Sequence, residues 1–128
     1  MKFAYIGIFG LLGVFARYFA GIAAEKVFAP PFPYGTFLVN MVGAFVIGLV
    51  YVLGFERSAL SDELSLGIMV GFLGGFTTFS SYSLQVVRLI ETAEYRTAAF
   101  YFVGSPILGC AAAAGGIVLA RRLWGAPV

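Results

Sequence analysis

The sequence has no histidine and a single cysteine, Cys110. The first absence removes the imidazole that serves most protein metal sites and proton shuttles. The second excludes an intrachain disulfide. Charge is scarce too: 11% of the 128 residues are Asp, Glu, Lys or Arg, against about 25% in a soluble domain. The six acidic residues (Glu25, Glu56, Asp62, Glu63, Glu91, Glu94) all fall at the ends of apolar runs or between them. No embedded carboxylate pair can therefore do acid–base work, and no nucleophile has a base nearby. These absences argue against an enzyme. The net charge of +2 is small and scattered, so nucleic acid is not an expected partner.

What remains is apolar. Hydrophobic residues make up 61% of the chain, too many for a soluble core. Residues 3–24 carry only Arg17 as a charge, and 27–55, 64–87 and 97–120 carry none. A membrane-crossing helix needs about 20 apolar residues. The chain reads as an all-α membrane protein of one domain, residues 1–128, with four spans near 3–24, 35–55, 64–90 and 97–122. The first span is too long for a cleavable signal. It ends at Glu25-Lys26 without a small-residue cleavage site.

Gly7, Gly10, Gly13 and Ala16 give span one a smooth stripe for close helix approach. Arg17 interrupts it, at roughly 2.5–3.5 kcal/mol on insertion scales for a helix centre. It lies nearer the far end, where it either snorkels to the interface or lines a vestibule that draws in anions. Three of the four residues 30–33 are prolines, which bars a helix there. In span two, Asn40 is the one amide. It serves either as interhelical glue beside Gly43, Ala44 and Gly48, worth about 1 kcal/mol, or as a donor to a permeating anion. Ser61, followed by Asp62 and Glu63, reads as a helix start. Pro106 is expected to kink span four. Ala111 to Gly116 offers a packing face. Arg121, Arg122 and Trp124 close the span at the membrane surface.

Lysines and arginines are nearly balanced. Lys2, Arg57, Arg121 and Arg122 fall on one side, and Lys26, Arg88 and Arg96 on the other. Topology is set by a clear excess of these residues on the cytoplasmic side, and a difference of one does not supply it. The chain is therefore expected to insert both ways and to pair as an antiparallel dual-topology homodimer. Many transporters reach that inverted layout within one chain. One such small domain cannot enclose a polar path alone.

Span three is the unusual one. It contains Gly71-Phe72-Leu73-Gly74-Gly75-Phe76-Thr77-Thr78-Phe79-Ser80-Ser81-Tyr82-Ser83. Two adjacent glycines are followed by six hydroxyl-bearing residues within seven positions. In hydrocarbon each freed backbone group and each hydroxyl needs a partner. A helix break near Gly74–Thr77 is expected. It is either a kink sealed by threonine hydroxyls or a set of free carbonyls that attracts a small hard cation. After it, Phe79 and Tyr82 share a helical face, with Ser80 and Ser83 on the neighbouring strip. These residues make either a packing seam or a path of ring edges and weak donors for a small hydrated anion.

This run resembles the signature of the Fluc/CrcB fluoride channels. Gly13-Val14-Phe15-Ala16-Arg17-Tyr18 and Gly35-Thr36-Phe37-Leu38-Val39-Asn40-Met41-Val42-Gly43 look like that family's motifs in spans one and two. Tyr101 with Ser105 looks like its pattern in span four. The resemblance covers nearly the whole chain. It implies a passive fluoride exporter of the plasma membrane, built as an antiparallel dimer with two pores. It implies a structural Na+ at the dimer centre, held by main-chain oxygens of Gly74 and Thr77. It implies that Phe79 and Tyr82 flank the pores with Ser80 nearby, that Asn40 is a pore donor, that Tyr101 and Ser105 contribute to the pore region, and that Arg17 lies near the vestibule. The sequence departs from the family at two places. Tyr82 stands where phenylalanine is usual, adding a hydroxyl that holds fluoride more tightly or changes the ring's rotamer. Gln85 stands where many members carry glutamate, which lowers repulsion of anions. The alternative is a proton-coupled small multidrug transporter, which is also short and dual in topology. It needs an embedded carboxylate, and this sequence has none.

Overall fold

The computed structural model describes residues 1–125. Four helices are long and apolar enough to cross a membrane: Lys2–Val27, Tyr34–Glu56, Asp62–Glu91 and Tyr95–Trp124. They match the expected spans to within a few residues at each end. Among the described residues there is no strand. The Ser61 hydroxyl accepts from the Leu64 N–H at 3.1 Å, with Asp62 and Glu63 in the first turn. Span three thus begins with the expected cap and with acidic groups at the positive end of its dipole. It ends in a tight turn where Ala93 takes a left-handed φ of 62° and the Glu94 N–H reaches back to the Leu89 carbonyl at 2.8 Å.

Glycine governs which spans touch. A methyl on Gly13 would lie 2.1 Å from the Phe72 carbonyl oxygen, and one on Gly75 would lie 2.7 Å from that of Gly10. Spans one and three therefore meet backbone to backbone, and both run the same way. Spans two and four meet likewise: a methyl on Gly48 would sit 2.2 Å from the Ala113 oxygen, and one on Gly116 would sit 2.2 Å from the Phe45 oxygen. The stripe expected on span one is used only in part. Gly10 and Gly13 face span three, whereas nothing lies within 4 Å of the position a methyl would take on Gly7.

Two features sharpen or add to the expectation. Gly74 and Gly75 lie inside a helical turn, Leu73–Phe76. The backbone becomes extended at Thr77 (φ −89°, ψ 156°) and Thr78 (φ −150°, ψ 120°), and the helix resumes as Phe79–Glu91. The break thus falls at the threonines, just past the glycines. Glycine tolerates the helix there because span one packs directly on Gly75. Threonine is β-branched, favours extended backbone, and has a hydroxyl to spend on the groups the break frees. The addition is a pair of wide π-helical segments, Val52–Glu56 and Gly67–Phe72. Period and hydropathy carried no sign of them.

Span four passes through Pro106 as one helix. At its end Arg121 donates from Nε to a Glu56 carboxylate oxygen at 3.0 Å and pairs through Nη2 with the other. The ends of spans two and four therefore lie on the same side, as four alternating spans require. The core is a cluster of Tyr82, Val86, Leu89, Ala98 and Tyr101, with Phe32 and Phe37 packed against it. It joins the second half of span three to the start of span four.

Candidate functional site

The break in span three frees backbone groups at membrane depth, and side chains from two other spans answer them. The Leu73 carbonyl accepts from the Thr77 N–H at 3.0 Å and from its hydroxyl at 2.8 Å. The Thr78 hydroxyl caps the second half-helix by accepting from the Ser81 N–H at 3.2 Å. Asn40 acts as a two-point clamp. Its Oδ1 accepts from the Thr78 N–H at 2.8 Å, and its Nδ2 donates to the Thr78 carbonyl at 3.1 Å. Gly43, almost one turn on, makes room for this contact, since a methyl there would lie 2.2 Å from the Thr77 Cγ2.

Arg17 does not simply snorkel. It is half-buried, and its Nε donates to the Gly75 carbonyl at 2.9 Å. A cation thus sits at the negative end of the first half-helix. Arg17 lines a cavity of about 390 Å³ together with Glu25, Thr36, Thr78 and Ser81. The carbonyls of Gly74 and Thr77 accept no hydrogen bond among the described residues.

A second cavity, of about 420 Å³, shares Thr78 with the first. It brings together Asn40, Gly74, Thr77, Phe79, Tyr82 and Ser105, which come from spans two, three and four. The rings of Phe79 and Tyr82 have centroids 5.7 Å apart, as their spacing predicted. Ser105 is 7% exposed and its hydroxyl has no partner. Ser65 is the other such hydroxyl among the described residues. It lies beside Gly54, away from the cavity. Asn40 keeps one amide hydrogen beyond its clamp. Every polar group facing this cavity is neutral.

Two expected residues fall outside that lining. Tyr101 is 1% exposed and donates to the Gln85 Oε1 at 2.8 Å. Gln85 in turn donates from Nε2 to the Thr36 hydroxyl at 2.8 Å, so this amide ties spans two, three and four together. Tyr101 supports the site from behind, edge-on to Tyr82 with centroids 5.0 Å apart. Ser80 is exposed, with its hydroxyl 3.4 Å from that of Thr78. Reading the sequence missed Thr36 and the place of Thr78 in the lining of both cavities. Both sit inside quoted motifs, yet hydroxyl content alone does not single them out.

Residues 4–117 match the family described as "CrcB-like protein, Camphor Resistance (CrcB)". The chain belongs to the CrcB family. Among its CrcB relatives is a protein of Geobacter sulfurreducens named a fluoride-specific ion channel, 39% identical over 118 residues, which cover 92% of this chain and 95% of that one. The protein of the same name in Geobacter metallireducens is 42% identical over 118 residues, with the same coverage. That of Agrobacterium fabrum is 40% identical over 124 residues, covering 97% of this chain and 99% of its own. These names describe channels and not enzymes. With four spans and this membership, the protein is a multi-pass membrane protein.

Proposed function

We propose that the protein is a passive fluoride-selective channel that exports fluoride across the plasma membrane and so protects the cell from it. The observation that carries this reading is the Ser105 hydroxyl, buried and unpartnered in a cavity lined by the Phe79 and Tyr82 rings and by neutral donors. A buried hydroxyl without a partner is costly, and an anion passing through the cavity supplies the missing acceptor. Neutral donors can replace part of a small anion's water shell without trapping it as a guanidinium would. Phe79 and Tyr82 add the positive edges of their rings. Ser80 and Arg17 belong to the approaches, with Tyr101 behind the wall. The names of the relatives point the same way. The test is ion efflux from liposomes holding the purified protein. Fluoride is expected to leave far faster than chloride, with no proton gradient applied. Equal rates for the two ions, or no efflux, would overturn the reading.

The same reading includes an antiparallel homodimer. Gly74, Phe79 and Ser80 are exposed on the single chain, and the Gly74 and Thr77 carbonyls are unpaired. Lipid cannot satisfy such groups, whereas a second copy can cover them. Two carbonyls from each chain would then give four hard oxygen ligands, a donor set suited to Na+ and matched to the negative end of a helix dipole. When bound there, Na+ supplies positive charge that holds the two breaks together. Among the described residues no cluster of three or more His, Cys, Asp or Glu offers an alternative metal site. A single cysteine placed at Ser58, with Cys110→Ala removing the exposed native thiol, is expected to react with impermeant reagents on both membrane faces. Replacing Na+ with a bulky organic cation is expected to lower the dimer fraction. Labelling from one face only would overturn dual insertion, and an unchanged dimer fraction would overturn the Na+ site.

A further inference from the structure

Proline has no N–H to give, so Pro106 leaves the carbonyl four residues earlier without its regular helix partner. That carbonyl belongs to Phe102, and the Tyr82 hydroxyl donates to it. Tyr82 is 6% exposed. Its ring is gripped between Phe79, 5.7 Å away, and Tyr101, 5.0 Å away and edge-on. Phe79, Tyr82, Phe102 and Pro106 line a common apolar cavity of about 550 Å³, and all of these but Phe102 also line the Asn40 cavity. The freed carbonyl thus opens beside the ring pair that faces the anion.

We infer that the Tyr82 hydroxyl seals the Phe102 carbonyl left open by Pro106, so that Tyr82 is a positioning residue whose ring edge, and not its O–H, faces the anion. The inference rests on the fluoride-conduction reading. A phenol has one hydrogen to donate. Once spent on a carbonyl, it is withheld from fluoride. An unsealed carbonyl would instead turn its negative end toward the path and repel anions, and it would release the ring from span four. Tyr82 and Pro106 therefore act as a pair, each compensating for the other.

The experiment compares wild type, Tyr82→Phe and Tyr82→Phe/Pro106→Ala in liposome efflux and in thermal melting. Tyr82→Phe is expected to slow fluoride efflux about tenfold, the order that one unpaired hydrogen-bonding group is worth, and to lower the melting midpoint. Adding Pro106→Ala is expected to return both toward wild type, because alanine supplies the helix N–H that seals Phe102. Loss in Tyr82→Phe without rescue would mean that the hydroxyl acts on the ion directly, and would overturn the inference. So would a Tyr82→Phe variant identical to wild type in both measurements. Melting is read without fluoride. A wild type that passes no ion would therefore sink the conduction reading, while rescue of the midpoint would still decide the seal.

Discussion

Asn40→Ala is expected to abolish measurable fluoride efflux and to destabilise the fold. This amide makes two hydrogen bonds to one backbone unit, Thr78, at 2.8 and 3.1 Å. Truncation leaves the half-buried Thr78 N–H unpaired, at about 1–3 kcal/mol, and removes one of the two donors to the Thr78 carbonyl, which as helix N-cap keeps the first helical N–H. Taken as a loss in the population of the intact site, that is roughly tenfold or more. It also removes the one donor that spans both the break and the cavity. Asn40→Asp separates the two roles. A carboxylate still accepts from the Thr78 N–H but cannot donate to its carbonyl, and it adds a negative charge to an anion path. Its melting midpoint should fall between those of wild type and Asn40→Ala, while its efflux should be as low as that of Asn40→Ala. Wild-type efflux from a well-folded Asn40→Ala would remove Asn40 from the site.

Phe79→Ile is expected to cut fluoride efflux by at least about tenfold while leaving the fold intact. Phe79 is 78% exposed on the single chain, so its loss leaves no cavity in the monomer core and costs little stability. Its ring contributes a polarised edge that isoleucine lacks, and aromatic contacts of this kind are worth about 0.5–1.5 kcal/mol each. The ring also pairs with Tyr82 at 5.7 Å, so two edges are disturbed at once. The measurement is efflux at matched dimer content, with size-exclusion behaviour as the control for folding. Unchanged efflux in a dimer would take Phe79 out of the path and leave Asn40 and Ser105 as its wall.

The two substitutions test different kinds of information. Phe79 was legible as a neighbour of Tyr82 on the cavity wall because it follows the break and is spaced three residues from Tyr82, and helical geometry does the rest. Asn40 was legible only as an amide that needs a partner. Its partner lies 38 residues away in sequence, and no local pattern points to Thr78. Arg17 is similar. Its charge in an apolar span marked it, but its acceptor, the Gly75 carbonyl, lies 58 residues on. Of the two readings offered for Asn40, packing glue and ion donor, the structure shows the first as a clamp on Thr78 and leaves one amide hydrogen for the second. Tyr101 was marked by resemblance alone. The resemblance implied that it contributes to the pore region; the structure buries it and gives its hydroxyl to Gln85, which places it behind the cavity lining.

The sequence by itself determined the number of spans, their ends to within a few residues, the cap at Ser61 and the neighbourhood of the break. These follow from hydropathy and from backbone preferences that each short segment carries on its own. Only the tertiary structure decided that the backbone yields at Thr77 and Thr78, just past the glycines, that Asn40 clamps that point, and that the Tyr82 hydroxyl is spent on the Phe102 carbonyl. Helices form on local terms. In a membrane interior, however, a hydroxyl, an amide and a freed carbonyl must each find a partner across the bundle, and which partner each one finds is set by which spans the glycines allow to touch.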